Sequence, residues 1–210
     1  MSSLPVTNFD GLEPVWDIAT LYPSQGDWTE EDYLELTDST NRLIEFTDGR
    51  LEFLTMPTEA HQLILLFLFD ALRAFVAKSD SGLALFMGLR VRVRPNKIRE
   101  PDVVYISKEN YSRRSNRYWS GADLVMEVVS ADDASRQRDH QQKVLDYVEA
   151  GIPEYWIVDP EKREIIVLRL DAAKAKYERH GVFREGEAAA SHVLHGFAVD
   201  VKAAFDAANV

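Results

Sequence analysis

The sequence contains no cysteine, and this absence excludes several kinds of chemistry. A chain without cysteine has no disulfide framework, no thiolate metal site and no cysteine nucleophile. The first 17 residues also lack a basic segment followed by an apolar one, which is the pattern of a secretory signal peptide. Both absences fit a protein of the reducing cytoplasm, and we expect a cytoplasmic location.

Long apolar runs and an excess of positive charge are missing as well. The longest apolar run, residues 63–69, is much shorter than the ~20 residues that a membrane-spanning helix needs. The 210 residues include 24 Lys and Arg against 35 Asp and Glu, which gives a net charge of −11. We therefore expect no membrane partner, and the charge argues against a general nucleic-acid coat.

The charge is unevenly distributed along the chain. Residues 88–143 carry 12 basic and 8 acidic side chains, whereas the rest of the chain carries 12 basic and 27 acidic ones. Two interpretations remain open. The basic residues lie on solvated strand faces, or they line a cleft for a phosphate-bearing substrate.

Hydrophobic patterning predicts an α/β (α+β) fold, with a mixed β-sheet flanked by helices. Residues 1–28 are polar and carry three prolines, so we predict an N-terminal arm followed by one domain over 29–210. The predicted elements are a helix from Thr29, a hairpin over 42–54, a core helix over 58–79, strands over 83–86, 89–94 and 102–106, a turn over 96–100, a strand around Glu127, a turn over 130–135, a helix over 136–150, strands over 154–158, 163–170, 176–180 and 198–201, and a closing helix over 201–208.

Glu127 is the unusual residue of this pattern. Three apolar residues precede it and two follow it, which is typical of a strand buried on both faces. A carboxylate in such a strand is costly unless it is paired, protonated or bound to a metal ion. The group that faces Glu127 should therefore reveal the function.

Two residues are candidate partners of Glu127. Asp102 stands at the head of another apolar strand, and two carboxylates at neighbouring strand ends form the hard oxygen site that Mg²⁺ prefers. Lys143 lies on the following helix, where Asp139, Lys143 and Tyr147 recur at every fourth position and share one face. The alternative to a metal site is a structural ion pair between Glu127 and Lys143 or an arginine.

Other residues are candidates for accessory roles. Arg90, Arg92 and Arg94 alternate with apolar residues along one strand, so three guanidinium groups share a face. The polar loop over 108–121 holds three arginines beside Tyr118 and Trp119, which suits either a surface facing nucleic acid or an ordinary flap. His61, in the first turn of the core helix, is more often a structural hydrogen-bonding residue than a ligand.

The motifs together resemble a known family. They are Pro101-Asp102, Glu127 in Met-Glu-Val-Val-Ser, the series Asp139, Lys143 and Tyr147, and the stretch Gly-Ile-Pro-Glu-Tyr-Trp-Ile-Val-Asp-Pro over 151–160. This set resembles the Uma-type endonucleases of bacteria, within the PD-(D/E)XK restriction-endonuclease-like superfamily. Upstream, the Ile44-Glu45-Phe-Thr-Asp48-Gly49 stretch and the Pro57 and His61 spacing are similar to the N-terminal motifs of the family, over roughly residues 30–205.

The resemblance implies a nuclease fold in which Asp102 and Glu127 hold Mg²⁺ or Mn²⁺, with DNA as the partner. It also implies that Glu45, His61, Asp139 and Tyr147 are accessory residues of the active site. Arg90, Arg92, Arg94 and Arg99 are then candidates for contacts with backbone phosphates. A homodimer is possible, because cutting two strands favours two sites.

The sequence departs from the superfamily at the catalytic lysine. That lysine normally stands two residues after the acid, where this chain has Val129. Ala131 also replaces the usual proline after Ser130. We expect Lys143 to replace the lysine from the following helix. Two functions follow: a Mg²⁺-dependent endonuclease that hydrolyses DNA phosphodiester bonds, or a catalytically inactive module that keeps the nuclease fold for binding or regulation.

Overall fold

The computed structural model of the chain describes residues 21–130, 136 and 138–209. Most of the predicted arm, residues 1–20, and the predicted turn after Ser130 lie outside these residues. The helices are α1 (Glu30–Asp38), α2 (Glu59–Ser79), α3 (Lys143–Glu149) and α4 (Val201–Asp206), with a 3₁₀ turn at Lys108–Arg113 and a π turn at Arg138–Gln142 that leads into α3. The strands are β1 (Ile44–Thr47), β2 (Arg50–Phe53), β3 (Gly82–Phe86), β4 (Val91–Arg94), β5 (Lys97–Arg99), β6 (Val103–Ser107), β7 (Leu124–Val128), β8 (Glu154–Asp159), β9 (Glu164–Asp171), β10 (Lys176–Arg184), β11 (Ala188–Ala190) and β12 (Ala198–Asp200).

A six-stranded sheet forms the centre of the fold, in the order β10-β9-β8-β7-β6-β3. Strands β7 and β8 run parallel, and every other neighbouring pair in this sheet is antiparallel. A second sheet has the order β2-β1-β5-β4, and β11 pairs with β12. The predicted mixed α+β architecture is therefore confirmed.

Alternation along β7 decides which residues meet which helix. Leu124, Met126 and Val128 pack in the core that α2 and α4 cover, whereas Val125 and Val129 pack in the core on the side of α3. Successive side chains of a strand point to opposite faces. Glu127 therefore points towards α3 and not towards the long helix α2.

Local sequence signals account for several element boundaries. Thr29 caps α1 in a capping box with Asp32, and the side chain of Thr58 caps α2 by accepting from the backbone N–H of His61. The hairpin between β1 and β2 turns at Asp48 and Gly49, which both have positive φ, as a type I′ turn requires.

The core helix α2 has 21 residues and is long and apolar enough, by length and composition, to cross a membrane. The continuous apolar run within it, residues 63–69, is by itself too short to cross a membrane. Six of its side chains are buried, and they pack on the central sheet: Ile64, Leu65, Leu68, Phe69, Leu72 and Val76. This is the packing of a core helix in a folded domain.

The prediction of a turn over 96–100 is wrong. Only Asn96, with φ of 61°, occupies a turn position there, and β5 follows it at once. Strand β5 pairs with both β1 and β4, so its hydrogen bonds come from a strand some 50 residues earlier in the chain as well as from its neighbour. Three residues are too few to reveal such a strand by local pattern.

We predict that Gly49→Ala destabilises the protein more than Gly88→Ala does. Both glycines have positive φ, which costs an alanine roughly 1 kcal/mol, but a Cβ at Gly49 would also overlap the backbone carbonyl of Gly26. A Cβ at Gly88 would meet no atom within 4 Å. Urea denaturation of both variants measures the difference, and equal losses would contradict the packing of residue 26 on the hairpin.

Candidate active site

Asp102 lies at the end of the central sheet, beside the end of β7. Strands β6 and β7 are antiparallel, with Val103 opposite Met126, so the residue before β6 comes alongside Glu127. The backbone N–H of Val128 donates to Oδ2 of Asp102 at 2.7 Å. Nε2 of His61 lies 3.3 Å from the same oxygen and 3.0 Å from the carbonyl oxygen of Val128. Two protein groups thus fix the orientation of this carboxylate.

His61 reaches this carboxylate from the first turn of α2. Burial alone would lower the pKa of His61, but the hydrogen bond and charge of Asp102 outweigh it, so the pKa is raised. The contacts with Val128 and Asp102 agree with a structural hydrogen-bonding role for His61, and an accessory role at the site stays a prediction. It contacts the Asp102 oxygen that faces the protein and does not contact Glu127.

Glu127 is only 3% exposed and has two hydrogen-bonding neighbours from the next helix. Nζ of Lys143 lies 2.8 Å from its Oε1, and the hydroxyl of Tyr147 donates to the same oxygen at 2.5 Å. The prediction that Lys143 reaches Glu127 is confirmed. Burial raises the pKa of Glu127, the ammonium of Lys143 opposes that rise, and the carboxylate of Asp102 adds to it.

Lys143 is equally buried, and three carboxylates surround it. Besides Glu127, Oδ1 of Asp139 lies 3.4 Å and Oε1 of Glu45 lies 3.6 Å from its Nζ. Burial would lower the pKa of Lys143, but Glu127, Glu45 and Asp139 together raise it, so the amine stays charged. A charged amine with several negative neighbours is oriented more strictly than one in a single pair.

The π turn before α3 brings Asp139 to the site. Asp139 is in this turn and Lys143 is the first residue of α3, and both side chains are buried on the side of Glu127. Turns of this kind are often found at functional sites. The shared face predicted for Asp139, Lys143 and Tyr147 is thus confirmed.

A buried chain of charges continues behind Glu45. Nη1 of Arg99 donates to Oε2 of Glu45 at 2.8 Å, and Nε of Arg99 donates to Oδ2 of Asp146 at 2.8 Å. Arg99 is 3% exposed, so it cannot contact a phosphate on the surface. For Arg99 the geometry contradicts the predicted phosphate contact. Its role is to fix Glu45, and through Glu45 it joins the small sheet to the site.

The other three arginines of the predicted phosphate surface also pair within the chain. Arg90 lies 2.8 Å from Asp38, Arg92 lies 3.0 Å from Glu30, and Arg94 lies 2.7 Å from Asp48. A guanidinium group paired to a carboxylate attracts a phosphate less strongly than a free one. A phosphate contact from these residues stays a prediction that would require these pairs to open.

The loop over 108–121 packs against the protein. Trp119 is buried, Arg114 lies over the ring of Tyr111, and Arg117 pairs with Glu31 and Asp38 of α1. These contacts favour the interpretation of an ordinary flap over that of a surface facing nucleic acid.

Asp102 and Glu127 line one small cavity of about 50 Å³. The other residues around it are Leu43, Leu54, Thr55, Pro57, His61, Met87, Glu100, Val128, Ser130, Arg138, Asp139 and Lys143. A cavity of this size holds a few water-sized particles. The two carboxylates therefore share one cavity, as a common cation would require.

The donor set fits a hard divalent cation. Each carboxylate uses one oxygen for protein contacts, and within residues 21–130, 136 and 138–209 no hydrogen bond reaches Oδ1 of Asp102 or Oε2 of Glu127. Among the described residues, Oε2 of Glu100 is buried in the same wall without a hydrogen-bond partner, and Oδ1 of Asp139 makes no hydrogen bond although it lies 3.4 Å from Nζ of Lys143. In this described part, no cluster of three or more acidic or histidine side chains could hold a metal ion. Two carboxylates completed by water or phosphate oxygens are the usual Mg²⁺ arrangement.

Sequence reasoning did not identify Glu100 as a member of the site. Burial and the nearby carboxylate of Glu45 raise the pKa of Glu100 to about 7. Its signal in the sequence is its position directly before the Pro101-Asp102 pair. Above pH 7 this carboxyl is ionised and adds negative charge at the cavity, which increases the attraction for a cation.

Comparison with known proteins identifies the family. The family Uma2, described as "Putative restriction endonuclease", matches residues 30–202. The chain belongs to this family. The resemblance inferred from the motifs is thereby confirmed, and the expected fold is shared with a solved structure of a putative nuclease. A comparison with curated proteins found no match.

Two solved structures are similar to this Uma2-family chain. A crystal structure described as a putative nuclease belonging to DUF820, from Anabaena variabilis, is 20% identical, with a TM-score of 0.70 over 86% of this chain and 99% of that one. The type IIG restriction endonuclease BpuSI is 14% identical with a TM-score of 0.37, and the match covers 74% of this chain and 17% of that one. The first likeness shows the fold.

We predict that Glu127→Leu keeps the fold in metal-free buffer. Removing one member of a buried ion pair is costly when it leaves the other charge unpaired, but here Lys143 retains Asp139 and Glu45 as partners. Thermal melts with and without Mg²⁺ test this, with Glu127→Gln as the matched polar control. The wild type should gain stability from Mg²⁺ and the Leu variant should not. Severe loss of stability without metal would instead identify Glu127 as a purely structural ion-pair partner.

Proposed function

We propose that this protein is a Mg²⁺-dependent endonuclease that hydrolyses phosphodiester bonds of DNA in the cytoplasm. The observation that carries the proposal is the position of Lys143. Its buried ammonium lies 2.8 Å from Glu127, at the cavity that Asp102 shares, although Val129 stands where the superfamily has its lysine. The amine thus comes from helix α3 instead of from the strand. In this proposal residues 29–210 form the catalytic domain.

Asp102 and Glu127 are the proposed cation ligands, each through the oxygen that faces the cavity. Mg²⁺ or Mn²⁺ held by these carboxylates would supply positive charge that polarises the scissile phosphate and lowers the pKa of a water. The backbone N–H of Val128 and the ring of His61 orient Asp102, and Tyr147 orients Glu127. Such supporting contacts decide how precisely ligands are held.

Lys143 is the proposed residue of the chemical step. Its charged amine is fixed in place before substrate arrives, so it can stabilise the negative charge that develops on the phosphate without reorganising. Asp139 and Glu45 hold the amine at the cavity and add negative charge around it. They are positioning residues in this proposal, since each contacts Lys143.

One observation favours the second candidate function, a nuclease-fold module without activity. Lys143 is shared among three carboxylates, which reduces the positive field it offers to a phosphate. A module of this kind would still bind a cation and nucleic acid. Activity therefore has to be measured directly.

We expect the protein to nick supercoiled plasmid in the presence of Mg²⁺ or Mn²⁺, and Asp102→Ala to reduce nicking to background. The variant removes a cation ligand at the head of β6, where the side chain also accepts from Val128. Asp70→Ala, at an exposed aspartate of α2, is the matched control and should keep full activity. Equal nicking by wild type and Asp102→Ala would refute the assignment of Asp102 as a cation ligand. No nicking by folded wild type would favour the inactive module.

Lys143→Met separates binding from chemistry. We predict that it keeps most of the Mg²⁺-dependent rise in melting temperature and lowers nicking about 100-fold or more, since the amine acts on developing charge and does not hold the cation. Lys143→Arg keeps the charge and should retain part of the activity. Full nicking by a folded Lys143→Met protein would show that Lys143 is only a structural ion-pair partner.

A further inference from the structure

An apolar pocket adjoins the carboxylate cavity. Its volume is about 460 Å³, which lies within the range of sites that enclose a small ligand. Four residues line both spaces: Thr55, Pro57, His61 and Ser130. A group in the apolar pocket would therefore be a direct neighbour of a phosphate at Asp102 and Glu127.

The rest of this pocket is apolar or small. Its remaining lining residues are Met56, Thr58, Ala60, Ile64, Val129 and Pro160. Met56 is 81% exposed at the rim, so its side chain offers apolar surface to an incoming molecule. Val129, which replaces the lysine of the superfamily, lines this pocket and not the carboxylate cavity. The replacement turns a place for a charged amine into part of an apolar wall.

The charged surface around the site suits a duplex poorly. The three arginines of the basic segment that could follow a phosphate backbone, Arg90, Arg92 and Arg94, are paired with carboxylates of the chain, and Arg99 is buried. The chain as a whole carries a net charge of −11. Sequence-independent duplex binding depends on many free cationic contacts with phosphates. A pocket that holds a base through apolar contact needs fewer of them, because bases have apolar faces.

We propose that the apolar pocket takes the nucleobase next to the scissile phosphate, so that the protein acts on DNA at an unpaired nucleotide. This inference rests on the proposed function and names its substrate class. A base stacked in a duplex cannot enter a pocket until it leaves the stack, and an unpaired base enters at the lowest cost. Single-stranded DNA is therefore the preferred form, and the residues around the pocket determine that preference.

Ala60→Trp tests the pocket without touching the cavity. Ala60 is exposed in the first turn of α2 and lines only the apolar pocket, so an indole there fills space that the base would occupy. Ala74→Trp, at an exposed position of the same helix, is the matched control. Met56→Glu is a second variant at an exposed rim residue, where a carboxylate repels the nucleotide without affecting folding.

The readout is binding of a fluorescein-labelled single strand of DNA by anisotropy, with Ca²⁺ replacing Mg²⁺, compared with the duplex of the same sequence. We expect the single strand to bind more tightly than the duplex, and Ala60→Trp and Met56→Glu to weaken it about tenfold, while Ala74→Trp leaves it unchanged. Thermal melts establish that each variant is folded.

Two results would overturn the inference: a duplex bound as tightly as the single strand, or full single-strand binding by folded Ala60→Trp and Met56→Glu. The binding assay needs no cleavage, so its outcome is separate from the nicking assay. Pocket-dependent binding of the single strand, with no Mg²⁺-dependent cleavage of either the plasmid or that strand, supports the pocket and refutes the endonuclease. Nicking with unchanged binding by the pocket variants supports the endonuclease and refutes the pocket.

Discussion

The contact between Lys143 and Glu127 is the interaction on which the rest of the site depends. Both groups are buried, and removing two charges from water costs several kcal/mol per ion unless close pairing and further hydrogen bonds offset the loss. The hydroxyl of Tyr147 and the carboxylates of Asp139 and Glu45 provide those further contacts. Helix α3 therefore docks on β7 with its polar face towards Glu127. This is why α3 has charged side chains in the interior of the protein.

The small sheet is part of the site because of a second buried pair. Arg99 of β5 binds Glu45 of β1 and Asp146 of α3, so one guanidinium group joins two strands of the small sheet to the helix that bears Lys143. Removing one partner of such a buried network leaves an unpaired charge, which is strongly destabilising. Leu43 and Leu54, which flank the N-terminal hairpin, line the cavity from that side.

The cavity and the apolar pocket divide the site by polarity. Acidic side chains surround the proposed cation site, and the adjoining pocket is lined mainly by apolar residues, which include Met56, Ile64 and Val129. In the proposal, the carboxylate cavity takes the cation and the phosphate of a nucleotide, and the apolar pocket takes its base. The position of Val129 follows the alternation of β7, which turns residues 125, 127 and 129 to the same face.

The sequence by itself determined the elements whose signals are local and the burial of Glu127. Asp48-Gly49 specifies its turn, Thr29 and Thr58 cap their helices, and an acidic residue within an apolar run has to meet a partner. The spacing of Lys143 and Tyr147 predicted that they share one helix face, whereas Asp139 reaches that face from a π turn. The tertiary structure alone decided which carboxylates engage the arginines, that β5 is a strand, and that Glu100 joins the cavity. The partners in those contacts stand about 50 residues apart in the chain, as Arg99 and Asp146 do, and no local pattern records which distant groups the fold brings together.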